Sequence, residues 1–160
     1  MEVAPRERID PLAVKAWLVS GVLLGLLLLV VPVAYFVLGN LVWDLPLVWG
    51  WLLLLAVIGF TVVNAVIIPN LKQRFWRYEV REDEIDIQRG IIIVRRTLIP
   101  MVRVQHVDTE RGPVMRYFGL STLRISTAAT NHRIPALSRD KAAELRDEIS
   151  ALARVSDEDV

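Results

Sequence analysis

Two uninterrupted apolar runs, residues 16–43 and 45–71, dominate the first half of this chain, with Asp44 as the single charge between them. A bilayer hydrocarbon core about 30 Å thick is spanned by about 20 apolar residues rising about 1.5 Å each, and both runs exceed that length. Core helices of soluble proteins are rarely so long without a polar face. The runs predict membrane helices at 17–38 and 47–68, joined by a turn at 39–46 into a hairpin. Leucine, isoleucine, valine and phenylalanine each favour insertion by about 0.3–0.6 kcal/mol, which outweighs the penalties of Pro32, Gly59 and Asn64.

The flanks agree with these boundaries. Trp17, Trp43, Trp49, Trp51 and Trp76 fall at or near the ends of the spans, where an indole sits at headgroup level. Arg6, Arg8 and Lys15 lie in the N-terminal segment 1–16, and Lys72, Arg74 and Arg77 follow the second run, whereas the turn holds no lysine or arginine. That asymmetry predicts a multi-pass protein of the cell membrane with both termini in the cytoplasm. A signal peptide is the rival reading of the first run, but its apolar stretch far exceeds a signal core of about 7–15 residues and no small-x-small cleavage pattern follows. The chain has no cysteine, which removes disulfides, thiolate nucleophiles and cysteine metal sites together.

After Lys72 the composition turns charge-dense over a stretch long enough for one small domain, placed at 72–154, before an acidic tail at 155–160 expected to fray. Residues 84–88 alternate polar and apolar, Arg89-Gly90 supplies a turn, and the β-branched run 91–99 ends at Pro100, which reads as a hairpin. Strand patterns recur at 102–109 and 120–127 around a turn at Arg111-Gly112-Pro113, and a short strand follows near 132–134. Ser138 caps a helix whose Ala142, Leu145, Ile149 and Leu152 share one face. Leu123 and Ile125 form the apolar face of their strand.

The residues 99–127, IPMVRVQHVDTERGPVMRYFGLSTLRIST, followed by RIPAL at 133–137 and the closing helix, resemble bacterial pleckstrin-homology (PH) domain membrane proteins of the YdbS-like family. The proline-led strand, Gln105 and the Arg116-Tyr117-Phe118-Gly119-Leu120 segment carry the likeness. It implies an α+β chain: a transmembrane helical hairpin, then a PH-like antiparallel β-barrel or sandwich of about seven strands capped by a C-terminal helix. Pattern alone finds five or six strands, and the resemblance points to 75–80 for the missing one.

No motif supports catalysis: there is no phosphate loop, nucleophile elbow or HExxH helix, and His106 and His132 stand apart from any carboxylate or ligand spacing. Asp83, Glu84 and Asp86 read as a solvated edge, so neither a metal nor a cofactor is expected. Nor is a small-molecule substrate. Arg89, Arg95, Arg96, Arg103, Arg111, Arg116 and Arg124 outnumber Asp108 and Glu110, and Arg95, Arg96, Arg103, Arg116 and Arg124 are candidates for an interaction surface. Lys72, Arg74 and Arg77 are assigned to the membrane surface. Eukaryotic PH domains that bind inositol lipids use a basic first hairpin, but Glu82-Asp83-Glu84 would repel phosphate here. Nucleic acid is not expected, because the net charge is only +1 and no aromatic platform accompanies the arginines.

Within the spans, Gly21 and Gly25 have the spacing of a close helix contact, with the second span or another copy. Asn64 is expected to hydrogen-bond a protein neighbour, with Thr61 nearby. Arg116 to Gly119 is expected to be a turn whose aromatics plug the barrel and whose glycine takes an unusual backbone angle, with an interaction surface as the alternative. The leading expectation is a non-catalytic protein-interaction or assembly module at the cytoplasmic membrane face. Its partner is a membrane protein, such as a relative bearing several PH domains, or a second copy. An anionic-lipid-sensing or envelope-stress module is the alternative, and a small transport-associated subunit centred on Asn64 is a third.

Overall fold

The computed structural model describes residues 5–39, 46–91 and 93–158, so residues 40–45 of the expected turn, with Trp43, lie outside the described residues. The chain divides into two compact units, one of residues 14–70 and one of residues 1–13 with 71–160.

The first unit is helical. One apolar helix runs Leu12–Leu38 as α1 (Leu12–Leu28) and α2 (Val30–Leu38), and the other runs Leu47–Phe75. Both outreach the expected spans. Only 17% and 6% of their most apolar windows are buried within the protein. A soluble core helix hides its apolar side chains, so length, composition and exposure together mark both helices as candidate membrane spans. The break at Leu29 has a cause at Pro32, which has no N–H for the Leu28 carbonyl and whose ring crowds it.

The second helix contains α3 (Leu47–Val62), a π-turn at Val63–Ile67, and α4 (Ile68–Phe75). Pro69 has the same effect on the Ala65 carbonyl, and the helix answers by widening, with the Ile68 N–H donating to the Val63 carbonyl.

The other unit is built on two antiparallel sheets, not on a closed barrel. Strands β1 (Glu7–Arg8), β2 (Arg77–Val80), β3 (Glu84–Arg89) and β4 (Arg95–Pro100) form one sheet in that order. The second comprises β5 (Val104–Glu110), β6 (Leu120–Thr127) and β7 (Asn131–Ser138). Between β4 and β5 lies a 3₁₀ turn at Met101–Arg103, and between β5 and β6 a short helix α5 (Pro113–Tyr117). Helix α6 (Arg139–Glu158) closes the domain, and the Ser138 hydroxyl accepts from the Lys141 N–H at 3.4 Å at its start.

The core gathers Tyr78, Ile85, Ile87, Ile99 and Met101 with Leu123, Ile125, Ile134 and Leu137, under Ala142, Leu145 and Ile149 of α6. The helix face and the β6 face are those that the periodicity predicts. The strand expected at 75–80 is β2.

Four expectations are corrected, and one element is added. Residues 91 and 93–94 are not strand, because Gly90 adopts φ 124° and the chain bends before β4 begins at Arg95. β7 is far longer than 132–134, and it tolerates Ala136 at φ 53°, whose carbonyl accepts the Asp10 N–H at 3.0 Å. The segment after Gly112 is helical, since Pro113 presets the first helical position. The acidic tail continues α6 to Glu158. The N-terminal segment contributes β1, and Ile9 beside it is buried.

Candidate functional site

Strand β4 ends its sheet, and a groove opens at each end of it. The first, about 460 Å³, is lined by Lys72, Phe75, Trp76, Arg89, Gly90, Ile91, Ile93 and Arg95. Gly90 shapes it: at its positive φ, a Cβ there would collide with the Ile93 carbonyl, so only glycine lets the turn fold back. The turn then presents Ile93 and Val94 outward, 71% and 53% exposed. The second groove, about 450 Å³, is lined by Leu98, Ile99, Pro100, Val102, Arg103 and Gln105 together with residues 127–130 and His132. Leu98 and Val102 remain 49% and 48% exposed there.

The five candidate surface arginines do not form one patch. Arg95 lines the first groove and Arg103 the second, while Arg116 is exposed on α5. Arg96 is structural: its Nε donates to Asp86 Oδ1 and Oδ2 at 3.0 and 2.9 Å, and its Nη2 donates to Oδ2 at 2.6 Å. Asp86 is wholly buried rather than part of a solvated edge. Arg124 Nη1 donates to Glu110 Oε1 at 2.6 Å, and its Nε is buried without a protein acceptor. Of the membrane-surface set, Lys72 and Arg74 are exposed on α4, and Arg77 is half-buried in β2 opposite Arg8 and Gln88.

At the β2–β3 turn, Arg81 pairs with Glu79 at 3.1 Å and Glu84 at 3.2 Å and so offsets only part of the acidic charge there. The Glu79 hydrogen bond and charge raise the Arg81 pKa further. His132 sits in the second groove with Nε2 2.8 Å from Thr130 Oγ1. Burial lowers its pKa, and the positive charge of Arg89 adds to the effect. The Tyr78 phenol is held protonated, first by burial and then by the Glu7 carboxylate. Among the described residues, no group of three or more His, Asp or Glu is placed to hold a metal ion.

In the helical unit, Gly21 packs on Ala65, where a Cβ would lie 2.6 Å from the Ala65 Cα, and Gly25 packs on Thr61. Both therefore serve contact between the two helices of this chain. Asn64 Nδ2 donates to the Phe60 carbonyl of its own helix at 3.0 Å, so this hydrogen bond is intrahelical rather than the interhelical one expected. Thr61 Oγ1 does the same to Val57 at 2.8 Å. Gly119 takes φ 67°, as expected, but Tyr117 is 86% exposed and plugs nothing.

Sequence reasoning missed the groove residues Phe75, Gly90, Ile91, Ile93, Leu98 and Val102. The available signal was the uncharged run 91–94 after a glycine, which a strand reading absorbed.

A model of the bacterial PH domain family matches residues 9–153, from beside β1 to the last turns of α6. The chain is 44% identical over 160 residues to the transmembrane protein YdbS of Bacillus subtilis (strain 168), covering 100% of both proteins. The transmembrane protein YdbT of the same organism is 25% identical over 96 residues, 58% of this chain and 20% of that protein. No solved structure matches significantly. With two sheets, a closing helix and two long, exposed apolar helices in the matched span, the chain belongs to the bacterial PH domain family as a YdbS-like membrane protein.

Proposed function

We propose that this protein is a non-catalytic membrane tether whose PH domain docks another membrane protein at the cytoplasmic face of the cell membrane. The open edge of β4 carries this reading. β4 pairs only with β3 among the described residues, and Leu98 and Val102 expose apolar side chains where its edge runs into the second groove. Arg95 and Pro100 guard the two ends of this edge, but Thr97 and Leu98 between them carry no charge, and an open edge is where a partner can supply the next strand. Fully burying a leucine or valine contributes about 1.5–3 kcal/mol, so two half-exposed ones supply roughly 1 kcal/mol each.

Two-dimensional confinement lets contacts of that strength suffice, because tethering raises the effective concentration of a second tethered protein. The basic flanks Arg6, Arg8 and Lys15 and Lys72, Arg74 and Arg77 favour a double crossing with both termini in the cytoplasm. The partner is a second copy or a longer membrane relative of the YdbT kind, whose length is about five times its matched stretch.

The absence of native cysteine makes the test direct. A photo-cross-linker at Gln105, in the same groove, in intact membranes is expected to trap one discrete adduct, either the dimer or the co-expressed relative, and Leu98→Asp with Val102→Asp should abolish it. A cross-linker there that yields only lipid or no adduct, with either partner present, refutes the docking role. A single cysteine at Val155 that reacts with an impermeant thiol reagent from outside whole cells refutes the orientation.

A further inference from the structure

We propose that the first groove binds one anionic phospholipid, its phosphate held between Arg89, Arg95 and Lys72 and an acyl chain lying along Phe75, Trp76, Ile91 and Ile93. The site stands apart from the β4 edge that carries the docking role, and it rests on different observations.

The first is charge. Arg89 and Arg95 are direct cross-strand partners, both exposed, and like charges directly opposite destabilise a sheet. Among the described residues, no carboxylate lines the groove. An anion between Arg89 and Arg95 converts repulsion into charge-assisted hydrogen bonds.

The second is the wall. Strand alternation puts Arg89 and Arg95 on the face that carries Ile85, Ile87 and Ile99 deeper in the sheet, so the groove opens where the core face runs out. At that place most domains end in polar side chains. Here the walls are two aromatics and two isoleucines, and Ile93 is 71% exposed. A small inorganic anion has no use for them, whereas a lipid uses both halves.

The third is chain position. Lys72 is the first charged residue after the run 45–71, and the helix carrying it continues unbroken to Phe75. At about 1.5 Å per residue, Phe75 is only about 6 Å of helix beyond Leu71, within the thickness of a headgroup layer.

With Ile93→Cys as the only cysteine, an environment-sensitive fluorophore can be placed at the groove in the full chain. In nanodiscs of phosphatidylcholine, added phosphatidylglycerol is expected to shift its emission saturably. Each cation near an anionic surface contributes about 1 kcal/mol, so Arg89→Gln with Arg95→Gln should raise the half-saturating fraction roughly 20- to 30-fold. Neutralising Arg111 and Arg116, exposed outside both grooves, should change it less than about twofold.

Equal loss in both double variants means diffuse surface attraction and overturns the site. Equal competition by inorganic phosphate or the chainless glycerophosphoglycerol headgroup overturns the lipid assignment. A response to purified partner protein but not to phosphatidylglycerol assigns the groove to protein and likewise overturns it. Thermal melting guards the reading: removing the like-charge pair should leave the lipid-free melting temperature unchanged or higher. A drop would contradict the repulsion on which the site is argued.

Discussion

Removing the guanidinium of Arg96 should be the most damaging single change on the outer surface of the β-rich unit. Asp86 is fully buried and accepts three charge-assisted hydrogen bonds from Arg96. Arg96→Met keeps the length of the side chain but strands a buried carboxylate, and breaking such a pair typically costs about 3–5 kcal/mol. The Arg96 side chain is itself 23% exposed, so its loss admits water toward Asp86 and places the expected cost near the lower limit, about 3 kcal/mol.

In a domain of this size, that corresponds to a fall of roughly 12–24 °C in melting temperature. The assay is thermal unfolding of the full chain in mild detergent, followed in the near-ultraviolet to report domain packing. The companion variant Arg96→Met with Asp86→Leu removes both charges and should recover most of the loss, because a buried pair replaced by apolar side chains is often neutral. If Arg96→Met costs less than about 1 kcal/mol, or the double variant is as unstable as the single one, the structural role assigned to this pair is wrong.

The helical hairpin yields a contrast: Gly21→Leu should destabilise packing of the helices by about 1–3 kcal/mol, while Gly59→Ala, with open space at its Cβ, should be neutral. Protease resistance of the detergent-solubilised hairpin reads both, and equal sensitivity would refute the Gly21–Ala65 contact. Asn64→Leu loses only an intrahelical hydrogen bond and should cost under about 1 kcal/mol while leaving function unaltered, whereas a lost activity would revive the transport reading. His132, whose folded pKa is lowered by burial and by Arg89, should titrate below its ordinary value of 6.5, and Arg89→Gln should raise it. Protons then bind the unfolded chain first, so this group's contribution is full above pH 6.5 and is lost as pH falls toward the lowered folded pKa. An imidazole proton titration centred at or above 6.5 by NMR would falsify that sign.

Local signals were enough for much of the architecture. Length and the absence of charge in the two apolar runs are enough to predict helices suited to a bilayer, because each exceeds the span of a hydrocarbon core and satisfies its own backbone. Period-two alternation at Ile85 and Ile87 and at Leu123 and Ile125, and helical spacing at Ala142, Leu145 and Ile149, likewise identify their own core faces. Each of these patterns repeats within a few residues, so it survives without knowledge of neighbours.

Contacts between distant residues were decided only in three dimensions. Strand β1 is two residues long and owes its existence to Tyr78 and Arg77, about 70 residues away. Asp86 is an acid in an acidic stretch until Arg96 folds over it. Ile91 and Ile93 read as strand until Gly90, at a backbone angle closed to other residues, turns them out beside Arg89 and Arg95. The sequence by itself determined two membrane-type helices and a β-rich domain closed by a helix, since hydropathy and periodicity are local properties, and its resemblance to a known family implied the PH-like arrangement. Which arginines are structural, which line a groove and which strand edge stays open were settled by tertiary structure alone, because pairing and burial depend on partners that no local pattern names.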